Sequence, residues 1–139
     1  METTEQRMES TEQRTVGQIE RELSQKIQAL YKKHLGQQPS KVSCQLFSRK
    51  LVVVLEDSVT QPEKLLFEEG QLELAEKVRT DLNEAMQPQI KTLVEEILGV
   101  DVLDLLCDAA IETGRIGIIV VLSDAPKVRN PEAIPKLKK

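Results

Sequence analysis

Thr60, Glu63, Lys64 and Arg79 come nearest to a chemical site in this sequence. Thr60-Gln61-Pro62-Glu63 is built like the start of a helix, with a hydroxyl cap, a proline in the first turn and a carboxylate three residues on that can reach back. The unpaired amides of a helix start can hold an anion, and Lys64 with Arg79 would add positive charge to it. A capping box plus an ion pair is the plainer use of the same residues, and the spacing favours it.

Other chemistry is thinly supplied. His34 is the only histidine, and it falls where a first helix should end, so it reads as a helix-end cation and not as a base. Cys44 and Cys107 lie in strand-like apolar runs. Buried strand cysteines behave as small hydrophobes, although a redox pair would be open to them if they faced each other. Two isolated cysteines and one histidine lack zinc-ligand spacing, no calcium-loop pattern occurs, and no phosphate loop or dinucleotide fingerprint is present. No metal and no cofactor is expected. Asp101, Asp104 and Asp108 could form an acidic cluster on one strand.

Composition narrows the classes further. The 139 residues suffice for one domain with its own core, and with 2% aromatic residues and no tryptophan that core must be Leu, Ile and Val. A net charge of −4 repels nucleic acid and anionic lipid, so nucleic-acid binding is not expected. No run approaches the length of a membrane span, and no secretion signal precedes residue 16, so a reducing, cytoplasmic setting is the default.

The elements that must position these residues follow from apolar spacing. Residues 1–14 are a tandem heptad, METTEQR then MESTEQR, polar all round and expected to be disordered. Val16, Ile19, Leu23, Ile27, Leu30 and Tyr31 mark a helix over 16–35, with Thr15 and Gln18 as its capping box and Gly36 as its stop. Lys41–Phe47 alternates as a half-buried strand, Ser48-Arg49 turns, and Leu51–Leu55 reads as a strand buried on both faces. A short helix follows Thr60. The repeat Leu74, Val78, Leu82, Met86, Ile90, Leu93, Val94, Ile97 then marks a long one ending at Gly99, with a kink expected near Pro88. A second hairpin pairs Val100–Cys107 with Ile116–Leu122.

The halves echo each other. Leu35-Gly36 and Leu98-Gly99 close the helices, Cys44 and Cys107 follow at equal distance, and Val53-Val54-Leu55-Glu56-Asp57 corresponds to Val120-Val121-Leu122-Ser123-Asp124. The expected fold is therefore α+β: two helix-strand-strand halves giving a four-stranded antiparallel sheet with two main helices on one face. The domain is expected over 15–124, followed over 125–139 by a flexible tail carrying Lys127, Arg129, Lys136, Lys138 and Lys139 against Glu132. So much Val and Ile on the inner strands would leave the uncovered sheet face apolar, which predicts dimerisation through that face or an edge strand.

Gly36-Gln37-Gln38-Pro39, the Leu51–Leu55 strand, Thr60-Gln61-Pro62-Glu63-Lys64, Arg79 and Val94-Glu95-Glu96-Ile97-Leu98-Gly99 together resemble the bacterial YbcI-type domain of unknown function, loosely labelled as related to sodium-translocating decarboxylases. The likeness spans residues 16–122, with Gln38 standing where that family has a second glycine. It implies the same α+β fold and no defined activity, and it adds Gly36 and Pro39 to the candidate ligand-binding residues. The function expected is a non-catalytic, homo-oligomeric accessory or regulatory protein that binds a partner protein or a small anion. The alternative is a small enzyme acting on an anionic substrate through Lys64 and Arg79.

Overall fold

The computed structural model describes residues 14–136, so the duplicated heptads before Arg14 lie outside the described residues. Helix α1 (Val16–Leu35) starts where its caps dictate. Thr15 Oγ1 accepts the Gln18 N–H at 3.1 Å, and Gln18 Oε1 accepts the Thr15 N–H at 2.8 Å. It stops at Gly36, whose φ of 74° is the left-handed conformation a side chain would resist. Its stripe of Val16, Ile19, Leu23, Ile27 and Tyr31 is buried.

Strands β1 (Lys41–Phe47) and β2 (Lys50–Glu56) form the first hairpin. Helices α2 (Gln61–Glu68) and α3 (Leu72–Leu98) follow, and β3 (Val102–Ala110) and β4 (Arg115–Leu122) form the second hairpin. The α3 helix runs unbroken through Pro88 and ends at Gly99 in the left-handed conformation. The sheet is antiparallel throughout, in the order β1-β2-β4-β3.

One sheet face carries the core. Leu51, Val53 and Leu55 of β2 and Ile116, Ile118, Val120 and Leu122 of β4 are buried in one cluster with the α1 stripe and with Met86, Ile90, Val94, Ile97 and Leu98 of α3. The alternate residues of the same strands point the other way. Leu51–Leu55 is thus covered on one face only, against the expectation of a strand buried on both, and Val52 and Ile119 remain 40% and 43% exposed.

The two central strands pair in a register that treats the halves as equivalents. By the Val53/Val120 correspondence, Val52 matches Ile119 and Leu51 matches Ile118. In the sheet Val52 pairs with Ile119, Val53 with Ile118, and Leu51 with Val120. Each residue thus meets the equivalent of its own partner's equivalent, as a twofold axis between Val52 and Ile119 requires. Among the described residues the helix α2 has no counterpart in the first half.

The segment after Asp124 is not loose from the domain over its described part. Val128 and Ile134 are buried in the core cluster. The Arg129 N–H donates to the Arg14 carbonyl, the Val16 N–H to Asn130 Oδ1, and the Ser48 N–H to the Pro135 carbonyl. Basic side chains misdirect the reading here, because the apolar residues between them decide the docking.

Cys44 and Cys107 occupy the two edge strands, in one cross-strand row running Cys44, Val53, Ile118, Cys107. Three strand spacings separate them, about 14 Å, more than twice what a disulfide spans. Burial pushes both thiols up to about 11, in each case against a smaller opposing contribution: a Ser24 hydrogen bond at Cys44, the Arg79 charge at Cys107. Mild oxidation of the native protein is therefore expected to give no intramolecular disulfide and only slow thiol labelling at neutral pH. Peptide mapping that finds a Cys44–Cys107 link in the folded monomer would contradict the strand order.

Candidate functional site

The hairpin of α2 and α3 is closed by a polar contact between its two helices. Glu63 is the one buried side chain of α2 and is fully inaccessible, while Arg79 on α3 is 4% exposed. Their charged ends meet as a planar fork. Arg79 Nε donates to Glu63 Oε1 at 2.7 Å and Nη2 to Oε2 at 2.6 Å. Arg79 Nη1 donates to Asn83 Oδ1 at 3.1 Å, one turn along the same helix. The Thr60 N–H and hydroxyl both donate to Glu63 Oε2 at 2.8 Å. The carboxylate that should cap α2 also closes the guanidinium, which answers the desolvation of both charges.

The electrostatic balance can be read on Glu63. Burial alone would raise its carboxyl pKa, but the hydrogen bonds from Arg79 and Thr60 and the guanidinium charge outweigh that and hold it below the ordinary value. Burial likewise raises the Tyr31 hydroxyl, with Arg79 opposing. The same cation therefore acts on α1, α2 and β3.

Gly36 and Pro39 lie in the loop from α1 to β1 and are not part of this knot. Gly36 ends the helix, and the buried Pro39 offers its carbonyl to Gln28 Nε2 at 2.6 Å. The loop reaches the α2 entry through residues that the sequence did not single out. Gln37 Nε2 donates to the carbonyls of Asp57 at 2.9 Å and Val59 at 3.2 Å, and the Ser40 hydroxyl bonds the Asp57 carboxylate. The Ser58 N–H donates to the Gly114 carbonyl at 2.8 Å, which ties the same stretch to the β3-β4 turn. Lys64 extends toward Gly114 and makes no ion pair among the described residues.

Between the α2-α3 hairpin and the β3 edge lies a cleft of about 560 Å³. Phe67, Arg79 and Asn83 line its helical side, with Glu76 and Thr80, and Asp108 and Glu112 line its strand side. Among the described lining residues the one cation, Arg79, is already paired with Glu63, so their uncompensated charge is negative. Asn83 was legible only as a residue one turn beyond Arg79, and Glu76 and Glu112 only as surface acids.

This architecture defines a small α+β domain with a helical hairpin set beside one edge of its sheet, and with no helix among the described residues long and apolar enough to cross a membrane. The chain belongs to the family described as Na+-translocating membrane potential-generating system (MpsC), whose model matches residues 15–124. No curated protein and no solved structure matches it. The resemblance to a YbcI-type domain is corrected by this match. Part of what carried it, the glycine-ended helices and the Val-rich strand, is what any repeated helix-strand-strand unit uses.

Removing either partner of the knot leaves a buried charge alone, at a cost of about 3–5 kcal/mol. Glu63→Gln and Arg79→Ala are each expected to lower stability by that order in urea titrations, whereas Lys64→Ala is expected to change it little. The pH dependence has a definite sign. Because the folded carboxyl titrates below its unfolded value near 4.3, the unfolded chain takes up the proton first. The Glu63 contribution is then complete above that value and is lost as pH falls through the folded one. Wild type should lose stability in this window more steeply than Glu63→Gln, and equal slopes would refute the assignment.

Proposed function

We propose that this protein is a non-catalytic, self-associating accessory component of a Na+-translocating membrane potential-generating system, acting from the cytoplasmic side by binding a partner protein. The observation that carries this reading is the state of Arg79. Every polar nitrogen of its guanidinium is matched by Glu63 or Asn83, so the residue best placed for chemistry is spent on holding α2 against α3. The family description supplies the system, and the cleft beside the hairpin supplies a surface with a net negative lining.

The small-anion form of the reading rests on Lys64, with Thr60 at the helix start and the Gly36–Pro39 loop alongside. Lys64 is the cation there whose charge no carboxylate takes up among the described residues. An enzyme acting on an anionic substrate would need Arg79 released from Glu63, against the interactions that bury the pair.

Membrane vesicles from cells lacking this chain test the proposal, with Na+-dependent potential read by a voltage-sensitive dye. Added purified protein is expected to restore the signal and to saturate at a fixed ratio to membrane sites, as a stoichiometric subunit does. Full potential without the chain would overturn the reading. Thermal shift with phosphate and bicarbonate separates its two forms: stabilisation abolished in Lys64→Ala selects the anion, and its absence selects the protein partner.

A further inference from the structure

The sheet has a second face. On it the outward residues form continuous rows across all four strands: Gln45, Val52, Ile119, Leu106 in the middle, Phe47, Lys50, Val121, Asp104 toward one end, and Ser43, Val54, Gly117, Asp108 toward the other. Leu106 is 59% exposed, and Leu103, at the irregular step in β3, is also exposed. This is a contiguous apolar surface, and the described helices that build the core, α1 and α3, pack on the opposite face.

Gly117 has no conformational reason to be glycine. Its φ lies outside the left-handed region, and a Cβ placed on it would meet nothing within 4 Å. A glycine inside a strand costs stability and commonly marks a place where another surface comes close. Among the described residues nothing approaches it, so the space is open to another surface.

The charges on this face say what fits. Lys41 and Lys50 lie on the β1-β2 half, and Asp104 and Asp108 on the β3 edge, while Glu56 and Arg115 are matched to each other at 2.6 Å. The face is thus complementary to itself when turned over.

We propose that a second copy of this chain covers the outer sheet face, related by a twofold axis parallel to the strands, so that the β1-β2 half of each copy lies over the β3-β4 half of the other. This arrangement sets Val52 over Ile119 of the second copy, Val54 over the gap at its Gly117, Lys50 beside its Asp104, and Lys41 over its Ala110, one outward position along β3 from its Asp108. Two sheets about 10 Å apart pack in this aligned way in sandwiches. The other isologous choice, with the axis across the strands, lays β3 on β3 and sets the aspartates of the two copies against each other. The proposal rests on the self-association in the function proposed above and gives it a surface and an orientation.

Sedimentation equilibrium of the full chain, with variants, tests it. Gly117→Val is expected to leave the monomer folded, with undiminished melting temperature once monomeric, and to weaken dimerisation at least tenfold. Lys50→Glu and Asp104→Lys are each expected to weaken it several-fold, and the double variant to recover most of the loss. A dimer unaffected by Gly117→Val, or a double variant no tighter than the worse single one, overturns the inference while leaving self-association intact. A wild-type chain that is monomeric at about 100 μM overturns both. If Gly117→Val fails to fold, Gly117→Ser and the charge exchange decide.

Discussion

The pairing of β2 with β4 is the constraint on which the rest of this structure depends. These strands carry seven of the buried apolar side chains, and each is the inner strand of its own hairpin. Because side chains alternate with period two, a slip of one residue would turn Leu51, Val53 and Leu55 to the open face and Val52 and Val54 into the core. The register Val52–Ile119 therefore fixes which residues face the helices. It also sends β1 and β3 to the edges, where they carry the two cysteines and both edge rows of the outer face.

The twofold relation between the halves explains where the asymmetry is concentrated. A pure duplication would go from β2 into the next helix by a short loop. Here α2 is interposed, and the start of α3 must extend to meet it. Before Met86, only Ala75 and Arg79 of α3 are buried, so the hairpin gets little from the apolar core. An ion pair with two fully engaged partners is suited to that position, because it fixes geometry where there is little apolar surface to do so. The cleft is a consequence: the hairpin is held beside β3 but not packed flat upon it.

Most of the fold was legible because its signals are local. The Thr15–Gln18 box, the glycines that end α1 and α3, and the three-and-four spacing along both helices each specify an element without reference to the rest of the chain. The echo between Val53–Asp57 and Val120–Asp124 carried further, since it made the two hairpins equivalents, although the β2-β4 pairing that orders the sheet is seen only in the structure. The docking of Val128 and Ile134 was not legible, because two apolar residues among lysines and prolines have no period. The burial of Glu63 was hidden for a related reason. A cap residue is ordinarily wet, and only the arrival of Arg79 from another helix makes its burial tolerable. The family resemblance erred on local signals of the same kind, which are shared by unrelated repeats.

The inner face alone would be satisfied by valine and isoleucine on one side of β2 and β4 and by polar residues on the other, as in any sheet wet on one side. Val52, Val54, Ile119 and Val121 break that alternation on the two strands that have the least freedom to shift. Apolar residues there add nothing to the monomer's core and raise its tendency to associate nonspecifically. Asp104 and Asp108 lie along the outer row of the β3 edge, where like charges oppose edge-to-edge pairing of β3 with its copy. An apolar face combined with a charged edge favours association through the face over growth along the edge. In the pair proposed above, that combination would close assembly at two copies.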